Sequence, residues 1–258
     1  MSVKKLFDLA GRAAIVTGGS RGLGLQIAEA LGEMGAKVAL TARKKDELEH
    51  AVEHLATQGI AALAFACDLG KRETLPGVFD QMLAKLGRLD ILVNNAGAVW
   101  GAPAEDHPLE AWDKLVNLNL IGTFVMSQQA AKKAMIPAKY GRIVNVASVA
   151  GLYASDPQVV RTVSYNATKH GVVGMTKQLA AEWGEYGITV NAICPGFFPS
   201  RMTAATLDAT GELVRKTTPT RRLGGPEDLK GLAVLLASDA SRHITGEAIS
   251  VDGGAMLI

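Results

Sequence analysis

A tyrosine and a lysine stand four residues apart in the segment Tyr165-Asn166-Ala167-Thr168-Lys169. The apolar spacing around them predicts a helix, and residues four apart lie on the same helix face. A tyrosine has an ordinary pKa of about 10, and a neighbouring cation makes its phenolate easier to form. The pair therefore indicates a proton donor, although exposed Tyr/Lys pairs without any catalytic role are also common on helices.

A glycine-rich segment near the start of the chain has the residues needed to hold a phosphate. Thr17-Gly18-Gly19-Ser20-Arg21-Gly22-Leu23-Gly24 follows the first predicted strand and opens the first predicted helix. Glycines at 18, 22 and 24 would let backbone amides approach a diphosphate at the helix N-terminus. The spacing Gly-x-x-x-Gly-x-Gly differs from G-x-G-x-x-G and from a Walker loop. A strand-to-helix turn without a ligand stays open as the alternative for this loop alone.

The end of the second predicted strand indicates which dinucleotide would bind. Folds that bind NAD place an Asp or Glu there, where the carboxylate accepts a hydrogen bond from the ribose 2′-hydroxyl. This strand ends at Ala42, and Arg43 follows it. A guanidinium suits a 2′-phosphate, so Arg21 and Arg43 predict NADP(H) as the cofactor. The alternative is that Arg43, Lys44 and Lys45 form a solvated helix start.

The elements that must position these groups alternate between short β-branched runs and longer amphipathic stretches, which is typical of βαβ units. The predicted strands are 13–17, 37–42, 61–66, 89–94, 141–147, 188–194 and 248–251, and the predicted helices are 23–32, 45–57, 74–86, 109–133, 164–185 and 229–236. Stretches 153–162 and 199–219 are predicted to be loops. We expect an α/β fold of one domain over residues 1–258, with a seven-stranded parallel sheet and helices on both faces.

Composition excludes several classes of protein. The chain has 258 residues, 48% of them hydrophobic, and a formal net charge of +2, which excludes a disordered chain, a collagen and a basic nucleic-acid-binding module. Cys67 and Cys194 have no companion at the spacing of metal ligands. His50 and His54 share a predicted helix face but have no third ligand within reach in the sequence, so we expect a solvated pair and no metal site. No apolar stretch is long enough to span a bilayer. We expect a cytoplasmic protein that binds neither nucleic acid nor membrane.

Several further motifs, in order along the chain, resemble those of the short-chain dehydrogenase/reductase family. Besides the glycine-rich segment and the Tyr165/Lys169 pair, they are Cys67-Asp68-Leu69, Asn94-Asn95-Ala96-Gly97, Asn119 in Val-Asn-Leu-Asn-Leu-Ile-Gly, Ser148 in Asn-Val-Ala-Ser-Val-Ala-Gly, Pro195-Gly196 and Val251-Asp252-Gly253-Gly254. The resemblance covers nearly the whole chain. It implies a Rossmann fold, an NAD(P)-dependent oxidoreductase acting on CH–OH groups, and a homo-oligomer that is a tetramer or a dimer.

The resemblance also implies roles for individual residues. Ser148 would donate a hydrogen bond to the developing alkoxide, and Tyr165 would deliver the proton. Lys169 would stabilise the phenolate and hold the nicotinamide ribose, while Asn119 would connect Lys169 to solvent through a water. The implied cofactor-binding residues are Gly18, Ser20, Arg21, Gly22, Leu23, Gly24, Arg43, Asp68, Leu69, Asn95, Ala96, Gly97, Tyr165, Lys169, Pro195 and Gly196.

The substrate is less well defined than the reaction. The sequence is similar both to 3-oxoacyl-carrier reductases and to polyol enzymes of the gluconate 5-dehydrogenase type. We expect an NADPH-dependent carbonyl reductase, reversible as an alcohol dehydrogenase, acting on a 3-oxoacyl thioester or a similar small-molecule or carrier-linked ketone. A carrier protein would favour a basic surface, which Arg201, Arg215, Lys216, Arg221 and Arg222 could supply. The alternatives are a polyol or sugar-acid dehydrogenase and, from another class, a redox-inert dinucleotide-binding sensor.

One feature departs from the family pattern. Ser148 lies 17 positions before Tyr165, which is longer than usual in the family. The intervening stretch 153–162 is expected to border the substrate pocket, and Tyr153, Gln158 and Arg161 are expected to help select the substrate. Segment 197–219 is expected to form a mobile substrate lid, with an ordinary surface helix as the alternative.

Overall fold

The computed structural model describes residues 1–257 and contains one sheet of seven parallel strands. In chain order they are β1 (Ala13–Thr17), β2 (Lys37–Ala42), β3 (Ala62–Ala66), β4 (Ile91–Asn94), β5 (Gly141–Val146), β6 (Ile188–Pro195) and β7 (Ala248–Val251). Their spatial order is β3-β2-β1-β4-β5-β6-β7. Because the winding reverses between β1 and β4, a crevice opens at the carboxyl ends of these two strands. The predicted seven-stranded parallel sheet is confirmed.

Helices cover both faces of the sheet. In chain order they are α1 (Val3–Phe7), α2 (Gly22–Glu33), α3 (Lys45–Thr57), α4 (Leu75–Leu86), α5 (Leu109–Leu115), α6 (Thr123–Ala130), α7 (Ile136–Ala138), α8 (Val163–Trp183), α9 (Ala204–Thr217) and α10 (Lys230–Ala237). Side chains alternate between the faces along each strand. Ala14 and Val16 pack with α2, α3 and α10, whereas Ala13 and Ile15 pack with α4, α6 and α8. Two apolar cores therefore enclose the sheet. No helix within residues 1–257 is both long and apolar enough to cross a bilayer.

Two predictions about helices are corrected by the structure. Stretch 199–219, predicted to be a loop, contains α9, which buries only Gly211 and Val214 and so lacks the long apolar stripe that reveals a core helix. The predicted helix 109–133 extends to Ala138 and is interrupted by π-helical turns over Val116–Gly122 and Ala131–Met135. The short helix α1, which buries no residue, was not predicted. Stretch 153–162 forms turns without helix or strand, as predicted.

Buried asparagines fix α8 against the centre of the sheet. Nδ2 of Asn94 donates hydrogen bonds of 2.9 Å to Oδ1 of Asn145 and to Oγ of Ser127, and Nδ2 of Asn145 donates one of 2.9 Å to Oγ1 of Thr176. A buried amide that loses its partner costs about 1–3 kcal/mol. The chain of bonds from β4 through β5 to α8 therefore holds the Tyr165 helix in one position relative to the strands.

Candidate active site

The carboxyl ends of the strands open into a cleft with a volume of about 530 Å³. All the predicted catalytic and cofactor-binding residues line this cleft except Gly24 and Asn119. Gly24 is buried in the first turn of α2, and Asn119 is buried in the first π-helical turn. The structure therefore brings together residues of α8 and residues at or just after the carboxyl ends of β1 to β6, which are far apart in the sequence.

The glycine-rich segment presents free backbone amides to the cleft. α2 begins at Gly22, whose φ of 54° lies in the left-handed region that glycine adopts readily. Arg21 precedes it and makes no side-chain capping hydrogen bond to the helix. The first backbone amides of α2 therefore have no side-chain acceptor, and they form the positive end of the helix dipole. This donor set fits a diphosphate.

Gly24 holds the glycine-rich segment against the turn after β4. A Cβ at position 24 would collide with the carbonyl oxygen of Gly18 and with Nδ2 of Asn95. That amide already donates to the carbonyl oxygens of Thr17 at 3.1 Å and Gly18 at 3.0 Å. Gly24 is therefore a packing residue of the glycine-rich segment and does not line the cleft.

Replacing Gly24 by alanine is expected to lower the free energy of unfolding by about 2 kcal/mol, because overpacking a close backbone contact costs about 1–3 kcal/mol. Gly77→Ala on α4 is the matched control, since nothing lies within 4 Å of its Cβ position, and alanine there is expected to be neutral or stabilising. Urea denaturation of both variants measures the effect. Equal stabilities for the two variants would contradict the close packing of Gly24.

The reacting end of the cleft joins α8 to the end of β5. Nζ of Lys169 lies 5.6 Å from the ring centroid of Tyr165 and donates a 2.7 Å hydrogen bond to the carbonyl oxygen of Val146. Oγ of Ser148 accepts a 3.1 Å hydrogen bond from the amide of Ala150. Ser148 and Tyr165 both line this end of the cleft.

The surroundings shift the pKa of both groups on α8. Burial raises the pKa of Tyr165 above its ordinary value, and a hydrogen bond with Ser148 works against that rise. Burial lowers the pKa of Lys169 to about 8. At neutral pH the phenol is therefore protonated and the lysine still charged, a combination that can give a proton to an oxyanion and stabilise the phenolate that results.

The buried Lys169 predicts a pH dependence of stability. Between its folded pKa of about 8 and its ordinary value of 10.5, the unfolded chain holds a proton that the folded chain has released. The free energy of unfolding therefore rises with pH in this window. Relative to Lys169→Met, the wild type is expected to gain about 3 kcal/mol from below pH 8 to pH 10.5. Urea denaturation of both proteins across this range measures the difference, which would stay constant if the ammonium were not desolvated.

Asn119 connects the loop after β4 to α8. Its Oδ1 accepts a 2.9 Å hydrogen bond from the amide of Ala98, and its Nδ2 donates to the Ala98 carbonyl at 3.0 Å and to Oγ1 of Thr168 at 3.1 Å. A Cβ at Gly97 would lie 3.3 Å from Oδ1 of Asn119 and 3.7 Å from Nζ of Lys169. Gly97 therefore keeps the space between these two polar groups free of a side chain.

The opposite end of the cleft carries the predicted phosphate-binding arginines and a carboxylate that the sequence did not reveal. Nη1 of Arg21 donates to both oxygens of Glu47, at 2.8 and 2.9 Å. Oε1 of Glu47 also lies 3.2 Å from Nζ of Lys44 and 3.1 Å from Nη1 of Arg201. Arg43 is exposed and pairs with no acidic residue in the part of the chain that the structure describes.

Comparison with known proteins agrees with this geometry. The profile of a family described as Enoyl-(Acyl carrier protein) reductase matches residues 18–256. The chain is 39% identical over 255 residues to a D-threitol dehydrogenase of Mycolicibacterium smegmatis, covering 98% of this chain and 96% of that one. It is 34% identical over 247 residues to the 3-oxoacyl-[acyl-carrier-protein] reductase FabG of Aquifex aeolicus, covering 95% and 98%. The chain belongs to the short-chain dehydrogenase/reductase family.

A solved relative has nearly the same fold. The crystal structure of a gluconate 5-dehydrogenase from Burkholderia cenocepacia in complex with NADP and tartrate superimposes with a TM-score of 0.94 at 34% identity, covering 100% of both chains. Named relatives of this short-chain dehydrogenase/reductase are dehydrogenases and reductases. The protein is therefore an oxidoreductase that acts on CH–OH or carbonyl groups.

Two surface segments lie near the cleft of this short-chain dehydrogenase/reductase. Ser200, Arg201, Met202 and Thr203, which precede α9, line the cleft. Stretch 153–162 contacts the loop after β4, because the amide of Ala102 donates a 2.9 Å hydrogen bond to the carbonyl oxygen of Arg161. Tyr153, Gln158 and Arg161 themselves lie outside the cleft lining. Their role in substrate selection stays a prediction, as does the lid.

His107 is a supporting residue that sequence reasoning did not single out. Its Nε2 lies 2.8 Å from Oγ of Ser164, a fully buried hydroxyl next to Tyr165 at the start of α8. Its ring also packs against Trp112, with 6.1 Å between the ring centroids. The two bonded residues are 57 positions apart, so no local pattern could have paired them. His170, in contrast, is exposed and bonds the carbonyl oxygen of Asn166.

Proposed function

We propose that this protein is an NADP(H)-dependent oxidoreductase that interconverts a ketone and a secondary alcohol. The observation that carries the proposal is the meeting of Tyr165, Lys169 and Ser148 at one end of a cleft whose other end gathers arginines. Tyr165, Ser148 and Lys169 are the catalytic residues. Asn119 acts on Lys169 through Thr168 and the Gly97 turn, and is a positioning residue in the proton path.

Each catalytic residue has a role that its surroundings support. The cofactor, when bound, supplies a hydride to the carbonyl carbon. Ser148 donates a hydrogen bond to the oxygen on which negative charge develops, and Tyr165 gives that oxygen its proton. Lys169 stabilises the phenolate left behind and holds the ribose next to the nicotinamide. The alcohol oxidation runs through the same groups in reverse.

NADP(H) is favoured over NAD(H) by the charges at the end of the cleft opposite Tyr165. We call this the adenosine end, because the adenosine of the cofactor would lie there. Arg21, Arg43 and Arg201 face a cleft in which position 42 is alanine instead of the acidic residue that accepts from a ribose hydroxyl. A 2′-phosphate would carry close to two negative charges there. The gluconate 5-dehydrogenase relative was crystallised with NADP, which supports the same choice.

The substrate class that we favour is a small polyol-type ketone. The observation that favours it is the 39% identity to the D-threitol dehydrogenase, against 34% to FabG of Aquifex aeolicus. The predicted basic surface keeps an excess of positive charge, because Arg215 and Lys216 share the carboxylate of Glu212 and Arg221 forms no salt bridge among the described residues. That excess would attract an acidic carrier protein. A 3-oxoacyl thioester is the second candidate, supported by the likeness to FabG and by the matched family profile.

A comparison of substrates with both cofactors tests these proposals. We expect oxidation of NADPH by a neutral four-carbon ketose or by 5-ketogluconate, with a kcat/KM at least tenfold above that for an acetoacetyl thioester. The reverse order would favour the acyl-thioester candidate. A redox-inert sensor would be stabilised against heat by NADPH and would oxidise none of it.

We further propose that the protein is a homo-oligomer, a tetramer or a dimer, as the family resemblance implies. Several large apolar side chains are exposed on the single chain, among them Leu109 at 74%, Leu257 at 82% and Val163 at 40%. Burial of such groups against a second copy stabilises association. Light scattering coupled to size-exclusion chromatography measures the mass, and a monomer at micromolar concentration would contradict the proposal.

A further inference from the structure

We propose that Glu47 sets the cofactor preference of this protein by competing with the cofactor 2′-phosphate for Arg21 and Arg201. The inference rests on the proposed NADP(H)-dependent function and adds a specificity-determining residue to it. Glu47 lies on the first turn of α3, and its carboxylate lines the adenosine end of the cleft with both arginines.

The contacts of Glu47 are those that a phosphate would make. Arg21 donates to both of its oxygens, at 2.8 and 2.9 Å, while Arg201 donates to Oε1 at 3.1 Å. Lys44 completes a set of three cations around one carboxylate, at 3.2 Å. The Glu47 side chain is 18% exposed, whereas those of Arg21, Lys44 and Arg201 are 48%, 63% and 69% exposed. The anion therefore sits inside a shell of cations that reach it from the solvent side.

The charges favour exchange of these partners. Exposed ion pairs of this kind contribute only about 0.2–1 kcal/mol each, so a doubly charged phosphate can displace the carboxylate from an arginine. The phosphate must still approach a fixed negative charge, and part of its attraction to the cations offsets that repulsion. NADH carries no 2′-phosphate and leaves the Glu47 contacts intact. Glu47 therefore weakens NADPH binding selectively and narrows the preference between the two cofactors.

The exchange also reaches the segment ahead of α9. Arg201 comes from the chain that follows β6, whereas Glu47 and Lys44 come from the start of α3 and Arg21 from the glycine-rich segment. In the structure, the Arg201–Glu47 pair joins the two walls of the cleft across the adenosine end. Occupation by a 2′-phosphate would replace that direct pair by contacts to the cofactor itself.

Binding of both dinucleotides to the Glu47→Gln variant tests the inference. Nicotinamide fluorescence titrations of the intact protein give Kd values for NADPH and for NADH without any turnover. We expect Glu47→Gln to lower the Kd for NADPH about two- to thirtyfold, because two arginine pairs of about 0.2–1 kcal/mol each no longer compete with the 2′-phosphate, and to change the Kd for NADH less than about twofold. The gain is expected to shrink in about 1 M salt, where exposed charges are screened within about 3 Å.

Glu49→Gln is the matched control. Glu49 lies on the same helix, pairs only with Lys45 at 3.5 Å among the described residues, and does not line the cleft. The Glu49→Gln substitution removes the same charge as Glu47→Gln. A change in long-range electrostatic potential alone would therefore change the Kd for NADPH equally in both variants. Equal effects, weaker NADPH binding in Glu47→Gln, or equal gains for NADPH and NADH would overturn the inference. If the wild type binds neither dinucleotide, the proposed function fails and the inference fails with it. If the wild type binds NADPH and the Glu47→Gln variant has the same ratio of Kd values for NADPH and NADH, the inference is overturned and the proposed function is not.

Discussion

Tyr165→Phe is expected to lower kcat about 1,000-fold, within the range of about 10²–10⁴ that general acid catalysis contributes, while the Kd for NADPH changes less than about twofold. The substitution removes one oxygen and keeps the ring that packs beside Lys169. The fold and the cofactor contacts are therefore kept, and only the proton donor is lost. Initial rates of NADPH oxidation and fluorescence titration of NADPH measure the two quantities.

Tyr186→Phe is the control for that substitution. Tyr186 follows α8 at the far end from the active site and does not line the cleft. The Tyr186→Phe substitution also removes one phenol oxygen, and we expect it to leave kcat within about twofold of the wild-type value. A Tyr165→Phe variant that retained a tenth or more of the wild-type kcat would show that another group delivers the proton. Loss of NADPH binding in that variant would instead show that the phenol holds the cofactor.

Arg43→Asp is expected to lower the preference for NADPH over NADH about 100-fold, measured as the ratio of kcat/KM values. Charge-assisted hydrogen bonds contribute about 1.5–3 kcal/mol, and the new carboxylate would repel a 2′-phosphate. The same carboxylate could accept from the 2′-hydroxyl of NADH, at the strand end where dinucleotide folds place an acid. The larger part of the change is therefore expected in KM for NADPH.

Arg242→Asp applies the same charge reversal outside the site. Arg242 is exposed and precedes β7, at the amino ends of the strands, whereas the cleft lies at their carboxyl ends. The cofactor preference of this variant is expected to match the wild type. Should Arg43→Asp leave the ratio unchanged, Arg43 would be a solvated helix-start residue, and the choice of NADPH would rest on Arg21 and Arg201.

Local patterns were sufficient for most of the fold. Strands β1 and β2 and helix α3 have the bounds that apolar runs and apolar spacing predict, because the two strands are buried over most of their length and the helix is amphipathic. Strand β7 also has its predicted bounds, although it is only partly buried. Helix α9 was not predicted, because it buries only two residues and so has no long apolar stripe in its sequence. The π-helical turn around Asn119 was not predicted for another reason. A change from α-helical to π-helical hydrogen bonding within one helix cannot be inferred from the spacing of apolar residues.

The candidate site divides in a similar way. The glycine-rich segment and the Tyr165/Lys169 pair were indicated by contiguous motifs, in which a short stretch carries both the chemistry and the spacing. The predicted roles of Ser148 and Asn119 came only from the family resemblance. Glu47 and His107 were not found. Their partners Arg201 and Ser164 lie 154 and 57 positions away, and only the folded sheet brings them within hydrogen-bond distance.

Transfer of deuterium tests the central claim most directly. The protein is incubated with NADPH that carries two deuteriums at C4 of the nicotinamide and with each ketone of the substrate panel, and the product is analysed by mass spectrometry. We predict an alcohol that carries one deuterium at the former carbonyl carbon with the wild type, and the same alcohol formed about 1,000-fold more slowly with Tyr165→Phe. If the wild type binds NADPH tightly and forms no deuterated alcohol from any of these ketones, the result contradicts the claim that Tyr165, Ser148 and Lys169 catalyse the reduction of a carbonyl group.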